Sequence, residues 1–271
     1  MVGENRNIVD KIKGAQDFLT SSRIWDLWRA HYPEFTYAEH REIWDTLYPK
    51  LKQQHCADVQ WFLRSFQQLK DWGMDLSQAR VVEFGSYDGW LAAECMRVFP
   101  IAGWTGYEMV PYAVQQTSPE AIGRGVLNIA ADKPLWEMSD MGTFDIFVSS
   151  HAIEHISTED CLALLDFVCA RSQVMLVEIP TLAPGQTWDG AISSHILDLT
   201  QSQFVGAVHA RWLARTIPEP LPNVTGDKAA ILKLMGREKV LQPRVLHRDS
   251  DLTAVLGSSL LKNPHLDPIE V

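Results

Sequence analysis

The sequence predicts an α/β fold built on a mostly parallel sheet with helices on both faces, and three features carry that reading. From Arg80 onward, short runs of strand-forming residues alternate with helical patterns at the spacing of βαβ units. The first run, "ARVVEFG", stops at a glycine and opens into a helix, the strand–turn–helix order of a ligand-binding crevice. Before residue 76 every periodic segment is helical, which leaves that stretch as an N-terminal helical cap.

In "TYAEHREIW", Thr36 followed three residues later by Glu39 is a capping box that starts a helix. Val59, Phe62, Phe66 and Leu69 recur at helical spacing and need a surface to bury against. Trp25, Trp28, Trp44, Trp61 and Trp72 make the segment unusually aromatic; they either pack the helices onto the sheet or wall a substrate pocket. The placement expected for this cap is a lid over the acceptor side of the cleft at the sheet's carboxyl edge.

Beyond the glycine turn, "LAAECMRVF" reads as a helix, "WTGYE" as a strand, "YAVQQT" as a helix fragment and "GVLNIA" as a weakly marked third strand. "FDIFVSS" is a fourth strand, and Ser157 with Asp160 caps the helix that follows. "QVMLVEIP" is the fifth strand and "SQFVGAV" a helix. "RWLARTI" and "KAAILKLMGR", on either side of the proline-rich "PEPLPNVTGD", read as an antiparallel final hairpin. The division expected is 1–75 for the cap, 76–240 for the sheet domain and 241–271 for an extended tail.

A net charge of −10, from 34 acidic and 24 basic residues, disfavours a general binder of nucleic acid or anionic membrane, which needs clustered Lys and Arg. No apolar run reaches the roughly 20 residues of a membrane span, and the first residues lack the apolar core of a signal peptide. Cys56, Cys95, Cys161 and Cys169 form no C-x-x-C pair and read as buried thiols in a reducing compartment. The expectation is a cytoplasmic protein in which the sequon Asn223-Val224-Thr225 is accidental.

Two stretches carry chemistry. "VVEFGSYDGW" gives Glu83-x-Gly85-x-x-x-Gly89, which matches neither the dinucleotide fingerprint nor a phosphate-cradling P-loop, but brings backbone close to a ligand. Nineteen residues after Gly89, Glu108 ends the second strand, where an acid can accept both hydroxyls of a ribose. "SSHAIEHI" places His151, Glu154 and His155 as H-x-x-E-H, the pattern of an inverted zinc-protease site. That site needs a long helix, whereas here the histidines fall on a short connection between a strand and a capped helix. No metal is expected.

"VVEFGSYDG", "GYE", "FDIFVSSHAIEHI" and "VMLVEIP" resemble motif I, the second-strand acid, the fourth-strand motif and the fifth strand of the class I S-adenosylmethionine-dependent methyltransferases. The likeness is to the small-molecule group with an SSHxxEH-like fourth motif, and spans about residues 78–240. It implies a Rossmann-like doubly wound sheet whose closing hairpin contains the family's reversed seventh strand. It further implies S-adenosyl-L-methionine as cofactor and S-adenosyl-L-homocysteine as product. The cofactor contacts implied are Glu83, Gly85, Ser86, Tyr87 and Gly89 around the methionine moiety, Glu108 with Met109 at the ribose, Asn128 or Ile129 beside the adenine, and Ser149, Ser150 and His151 at the amino-acid end. Tyr87 departs from the family's middle glycine.

If the acceptor is a hydroxyl or a protonated amine, a base must take its proton, and histidine suits neutral pH. His155 is the first candidate, His151 the second and His195, in "SSHILDLT", the third. The acceptor expected is a small molecule, sugar-like or natural-product-like. The alternatives are a protein or nucleic-acid substrate, or a homologue that binds cofactor without turnover. The N-terminal helices also offer a surface for a homodimer.

Overall fold

The computed structural model describes residues 2–15, 21–50, 55–182, 184–191, 194–213, 229–235 and 241–247. Helices α1 (Val2–Gly14), α2 (Ser22–His31), α3 (Tyr37–Leu47) and α4 (Val59–Asp71) precede β1 (Arg80–Phe84). There follow α5 (Trp90–Val98), β2 (Gly103–Glu108), α6 (Pro111–Gln115), α7 (Pro119–Gly123) and β3 (Leu127–Ala130). The chain continues through β4 (Ile146–Ser150), α8 (Thr158–Cys169), β5 (Val174–Pro180), α9 (Gln201–Val208), β6 (Ala229–Met235) and β7 (Leu241–His247).

The sheet order is β3-β2-β1-β4-β5-β6-β7. Strands β1 to β6 all run parallel, and β7 pairs antiparallel with β6 at the edge. Strand order reverses between β1 and β4. Right-handed crossovers then put α5 and α8 on opposite faces and open a crevice at the carboxyl ends of those two strands. β4, β5 and β6 are buried along nearly their whole length, as central parallel strands must be.

The hairpin expected from "RWLARTI" and "KAAILKLMGR" is corrected. His209–Leu213 continues α9 as a π-helical turn, and 214–228 lie outside the described residues. The capping box of Thr200 and Gln203 starts this helix, and no proline intervenes before Pro218 to end it. Ala229–Met235 joins β5 in parallel register, not as the reversed strand the resemblance implied. The antiparallel partner, Leu241–His247, comes from the stretch expected to be tail.

Two apolar clusters form. The larger covers the sheet and includes Phe62, Phe66 and Leu69 of α4, with Phe66 against Phe99 and Trp104 at ring-centroid distances of 5.8 Å each. The α4 stripe is thus buried in the sheet's own core. The second cluster joins α1, α2 and α3, through Val9, Ile12, Trp25, Trp28, Ile43 and Leu47, to Val110 and Ala113 just after β2. The capping box at Thr36 is present as expected.

A buried ionic junction ties α4 to the sheet. Lys233 of β6, 4% exposed, sets its Nζ 2.6 Å from Asp58 Oδ2 and 2.7 Å from Glu178 Oε1. Asp58 also caps α4 by accepting from Trp61 N, and its own amide donates to Glu178 Oε2 at 3.0 Å. Removing one partner of such a pair leaves a buried charge uncompensated. Lys233→Met is therefore expected to lower the unfolding free energy by about 3–5 kcal/mol in denaturant titrations. Adding Glu178→Gln should restore part of the loss; a double variant as unstable as the single one would show that charge pairing is not the cause.

Candidate functional site

The crevice is shaped by backbone that only certain residues tolerate. Gly85 takes φ +74°, and a Cβ built on it would lie 2.2 Å from the Cβ of Ala152, so the loops after β1 and β4 meet only because residue 85 lacks a side chain. Gly106 plays the same part inside β2, where a Cβ would lie 2.5 Å from Ser86 Oγ. Tyr87 and His151 are the non-glycine residues with positive φ among those described, at 50° and 51°, and both line the crevice. Strain of this kind persists where surrounding structure enforces it, commonly at a site. Here the His151 amide is held by Glu178 O at 3.0 Å, and Tyr87 N donates to Glu108 Oε2 at 3.0 Å.

A cavity of about 1050 Å³ opens there, room for two small molecules side by side. It is lined by the ends of β1 and β2, by Ala131 and 134–137, and by aromatic residues of α2 and α3. Glu108 lines it and is 4% exposed, so it is not a solvated strand-end acid. Its Oε1 accepts from Val110 N at 2.9 Å. Each oxygen thus holds one backbone donor and retains a lone pair for a ligand hydroxyl. Burial pushes its pKa up while the backbone amides oppose the rise. Glu83 also lines the cavity, but accepts Trp104 Nε1 at 2.8 Å; burial raises its pKa to about 8, so it is largely protonated at neutral pH.

Glu154 organises the histidines. Its Oε1 lies 3.2 Å from His151 Nδ1 and 4.0 Å from His155 Nε2. Burial acts to lower the His151 pKa, but the Glu154 hydrogen bond and charge outweigh it and raise it. Burial likewise acts to raise Glu154, and the histidines overcome it. His155 Nδ1 faces Ser194 O at 3.4 Å and Ser194 Oγ at 2.9 Å. Both ring nitrogens thus have polar neighbours, Nδ1 the hydroxyl and carbonyl of Ser194 and Nε2 the Glu154 carboxylate. His195 meets the ring of His155 edge-on, with centroids 5.2 Å apart, and burial depresses its pKa to about 4.

The structure sorts the expected residues. Glu83, Gly85, Ser86, Tyr87, Glu108, Met109, Ser150, His151 and His155 all line the cavity. Four others do not line it. Gly89 begins α5 at φ +76°, packed on Ala121; Ser149 Oγ fastens β4 to Phe84 O. Asn128 is spent on the loop, donating to Tyr87 O at 2.8 Å and Thr117 Oγ1 at 3.0 Å, and Ile129 neighbours it on β3. The wall beyond β3 is made instead by Ala131 and 134–137. His195 is also off the wall, while Ser194 is on it. Glu154, His155 and His195 bring one donor atom each within 4.8 Å of one another. Cys95, Cys161 and Cys169 are buried as expected, but Cys56 is exposed.

Sequence reading missed His55 and Asp88. His55 Nε2 lies 3.0 Å from Asp88 Oδ2, and its ring stacks on Trp90 at 4.2 Å, clamping the segment before α4 across the glycine loop. Asp88, inside the glycine motif, was the available signal. No helix among the described residues is long and apolar enough to cross a membrane.

The neutral burial of His195 has a pH signature. The unfolded chain protonates this ring near its ordinary value of 6.5, whereas the fold resists protonation until about pH 4. Its contribution to stability is therefore present above pH 6.5 and lost as pH falls through that window. The stability difference between wild type and His195→Asn, from urea unfolding, should shrink over the same interval. A constant difference would mean the ring titrates normally.

No protein-family model and no curated protein matches the chain. Solved structures do. The magnesium protoporphyrin IX methyltransferase from Synechocystis, with S-adenosylhomocysteine bound, superposes with a TM-score of 0.51 at 12% identity, over 78% of this chain and 98% of that one. The N-terminal domain of EvdMO1, solved with S-adenosylhomocysteine and D-fucose, gives 0.45 at 17% identity, over 60% and 76%. The sugar N-methyltransferase KedS8 from Streptoalloteichus gives 0.38 at 16% identity, over 53% and 56%. Through the first of these superpositions, the chain has the fold of the class I S-adenosylmethionine-dependent methyltransferases.

Proposed function

We propose that the chain is an S-adenosylmethionine-dependent methyltransferase acting on a small-molecule acceptor. The observation that carries this is the buried carboxylate of Glu108 at the end of β2, opposite the side-chain-free contact of Gly85 with Ala152. An acid with one lone pair left on each oxygen suits a ribose, and a bare glycine turn suits close backbone approach. In this reading Glu108 and Met109 hold the ribose, and Gly85, Ser86, Ser150 and His151 hold the amino-acid end. Ala131 and Trp136 flank the base. When bound, the cofactor supplies an electrophilic methyl group on a sulfonium leaving group.

The chain's own work is to orient and to move a proton. His155 offers Nε2 as base, with Nδ1 in contact with Ser194 and the Glu154 carboxylate 4.0 Å away to stabilise the charge it gains. His151 is the second candidate, and its partnership with Glu154 favours its charged form, which suits contact with a carboxylate. His195, neutral and off the wall, supports the ring of His155. Helices α1 to α3 act as a lid that excludes water and presents aromatic walls to the acceptor. The lid reading is supported by Trp25 and Trp44 lining the cavity while packed on each other.

Calorimetric titration with S-adenosylmethionine, S-adenosylhomocysteine and NAD tests the reading: the first two are expected to bind and NAD is not. Micromolar NAD binding with no affinity for the others would sink it. Glu108→Ala should weaken S-adenosylhomocysteine binding about tenfold or more, by loss of charge-assisted hydrogen bonds. His155→Ala should leave that affinity in place and lower kcat by about 10²–10⁴-fold, the usual weight of a general base.

A further inference from the structure

The acceptor side of the cavity has a definite charge character. Glu154, Glu159 and Asp160 stand on its wall, and among the described lining residues there is neither lysine nor arginine. The Asp160 carboxylate already accepts from Tyr32 OH at 3.2 Å and from Ser157 Oγ at 2.8 Å, which fixes it in place. Glu154 is 1% exposed, and its Oε2 has no hydrogen-bond partner. An acceptor bearing phosphate or carboxylate would bring another anion beside Glu154, Glu159 and Asp160 with no lysine or arginine on the wall to receive it, and His151 is already paired with Glu154; repulsion is strong where water is scarce. Facing these acids, Trp25 and Trp44 stack with ring centroids 5.9 Å apart, and the edge of Trp44 meets His155 at 5.7 Å. Aromatic faces attract cations and planar apolar groups alike.

We propose that this chamber takes an amine carried on a planar apolar body and rejects acceptors that bear a carboxylate or a phosphate. The proposal rests on the methyltransferase reading above. The ammonium nitrogen loses one proton to His155 Nε2, and its lone pair forms the bond to the methyl carbon. The carbon–sulfur bond breaks with its electron pair left on sulfur, which discharges the sulfonium. Glu154 stabilises the imidazolium so formed, and the carboxylates of the wall stabilise the methylated ammonium once it regains its charge.

Three near-isosteric probes separate the outcomes: phenethylamine, phenethyl alcohol and hydrocinnamate, titrated against the full chain saturated with S-adenosylhomocysteine and read by tryptophan fluorescence. The amine is expected to bind about tenfold or more tighter than the acid, with the alcohol between them. In Glu159→Lys, an exposed wall position, the preference for amine over acid should shrink. Binding of the acid or the alcohol as tight as the amine overturns the proposal, as does an unchanged preference in Glu159→Lys. Failure of all three probes while S-adenosylhomocysteine binds overturns the chamber alone. Failure of S-adenosylhomocysteine itself overturns the methyltransferase reading beneath it.

Discussion

A carboxylate shut away from water must be surrounded by donors, and Glu178 meets that requirement in a way that arranges the whole carboxyl edge of the sheet. Its side chain is 1% exposed and collects Lys233 Nζ from β6, Asp58 N from the start of α4 and Ser150 Oγ from the end of β4. Its backbone carbonyl receives His151 N and so helps hold that residue at positive φ. One residue therefore fixes the neighbouring strand on each side, the helix before the sheet and a strained turn at the cavity. Since an unsatisfied buried charge costs several kcal/mol, these elements cannot drift independently.

The two halves of the cavity use opposite strategies. Around Gly85 and Gly106 the chain removes side chains so that backbone segments can approach within contact distance. Around Glu154 it adds polar groups and buries them in pairs, which drives titratable neighbours apart: His151 is raised, Glu154 lowered, and His195 depressed to about 4. Separation of pKa values within one buried cluster distributes acid and base roles among similar side chains. Of the three histidines, His155 combines a position on the wall with an Nδ1 in contact with Ser194. The zinc-protease spacing in "SSHAIEHI" falls on a short turn of 3₁₀ helix at Ile153–His155, not on the long helix such a site needs.

The N-terminal helices divide by what they bury against. The α4 stripe, read from spacing alone as a face in need of a surface, found the sheet. Helices α1 to α3 instead surround Trp28 with the rings of Tyr32, Phe35, His40 and Trp44, at centroid distances of 5.0–5.9 Å. His40 is held neutral within that cluster, its pKa pushed by burial to about 4. Such a dense aromatic body is rigid, which suits it to lining the cavity.

What the sequence determined by itself was whatever depends on neighbours along the chain. Strand runs broken by glycine, capping pairs such as Thr36 with Glu39 and Ser157 with Asp160, and the strand-end acid Glu108 are local, and each formed where expected. "RWLARTI" was misread because β-forming and helix-forming patterns coincide over so short a run, and the preceding helix, with no breaker before it, continues into Arg211–Leu213. What Asn128 and Ser149 are tied to, the Tyr87 carbonyl and the Phe84 carbonyl, depends on which strands lie beside them and is not legible from position along the chain. Only the tertiary structure brought Lys233, Glu178 and Asp58 together across 175 residues. Nor could the sequence say that Gly106 makes room for Ser86, or that His195 meets the ring of His155. Those pairings are set by strand register and by the entropy-opposed closure of long loops, which side-chain type alone does not encode.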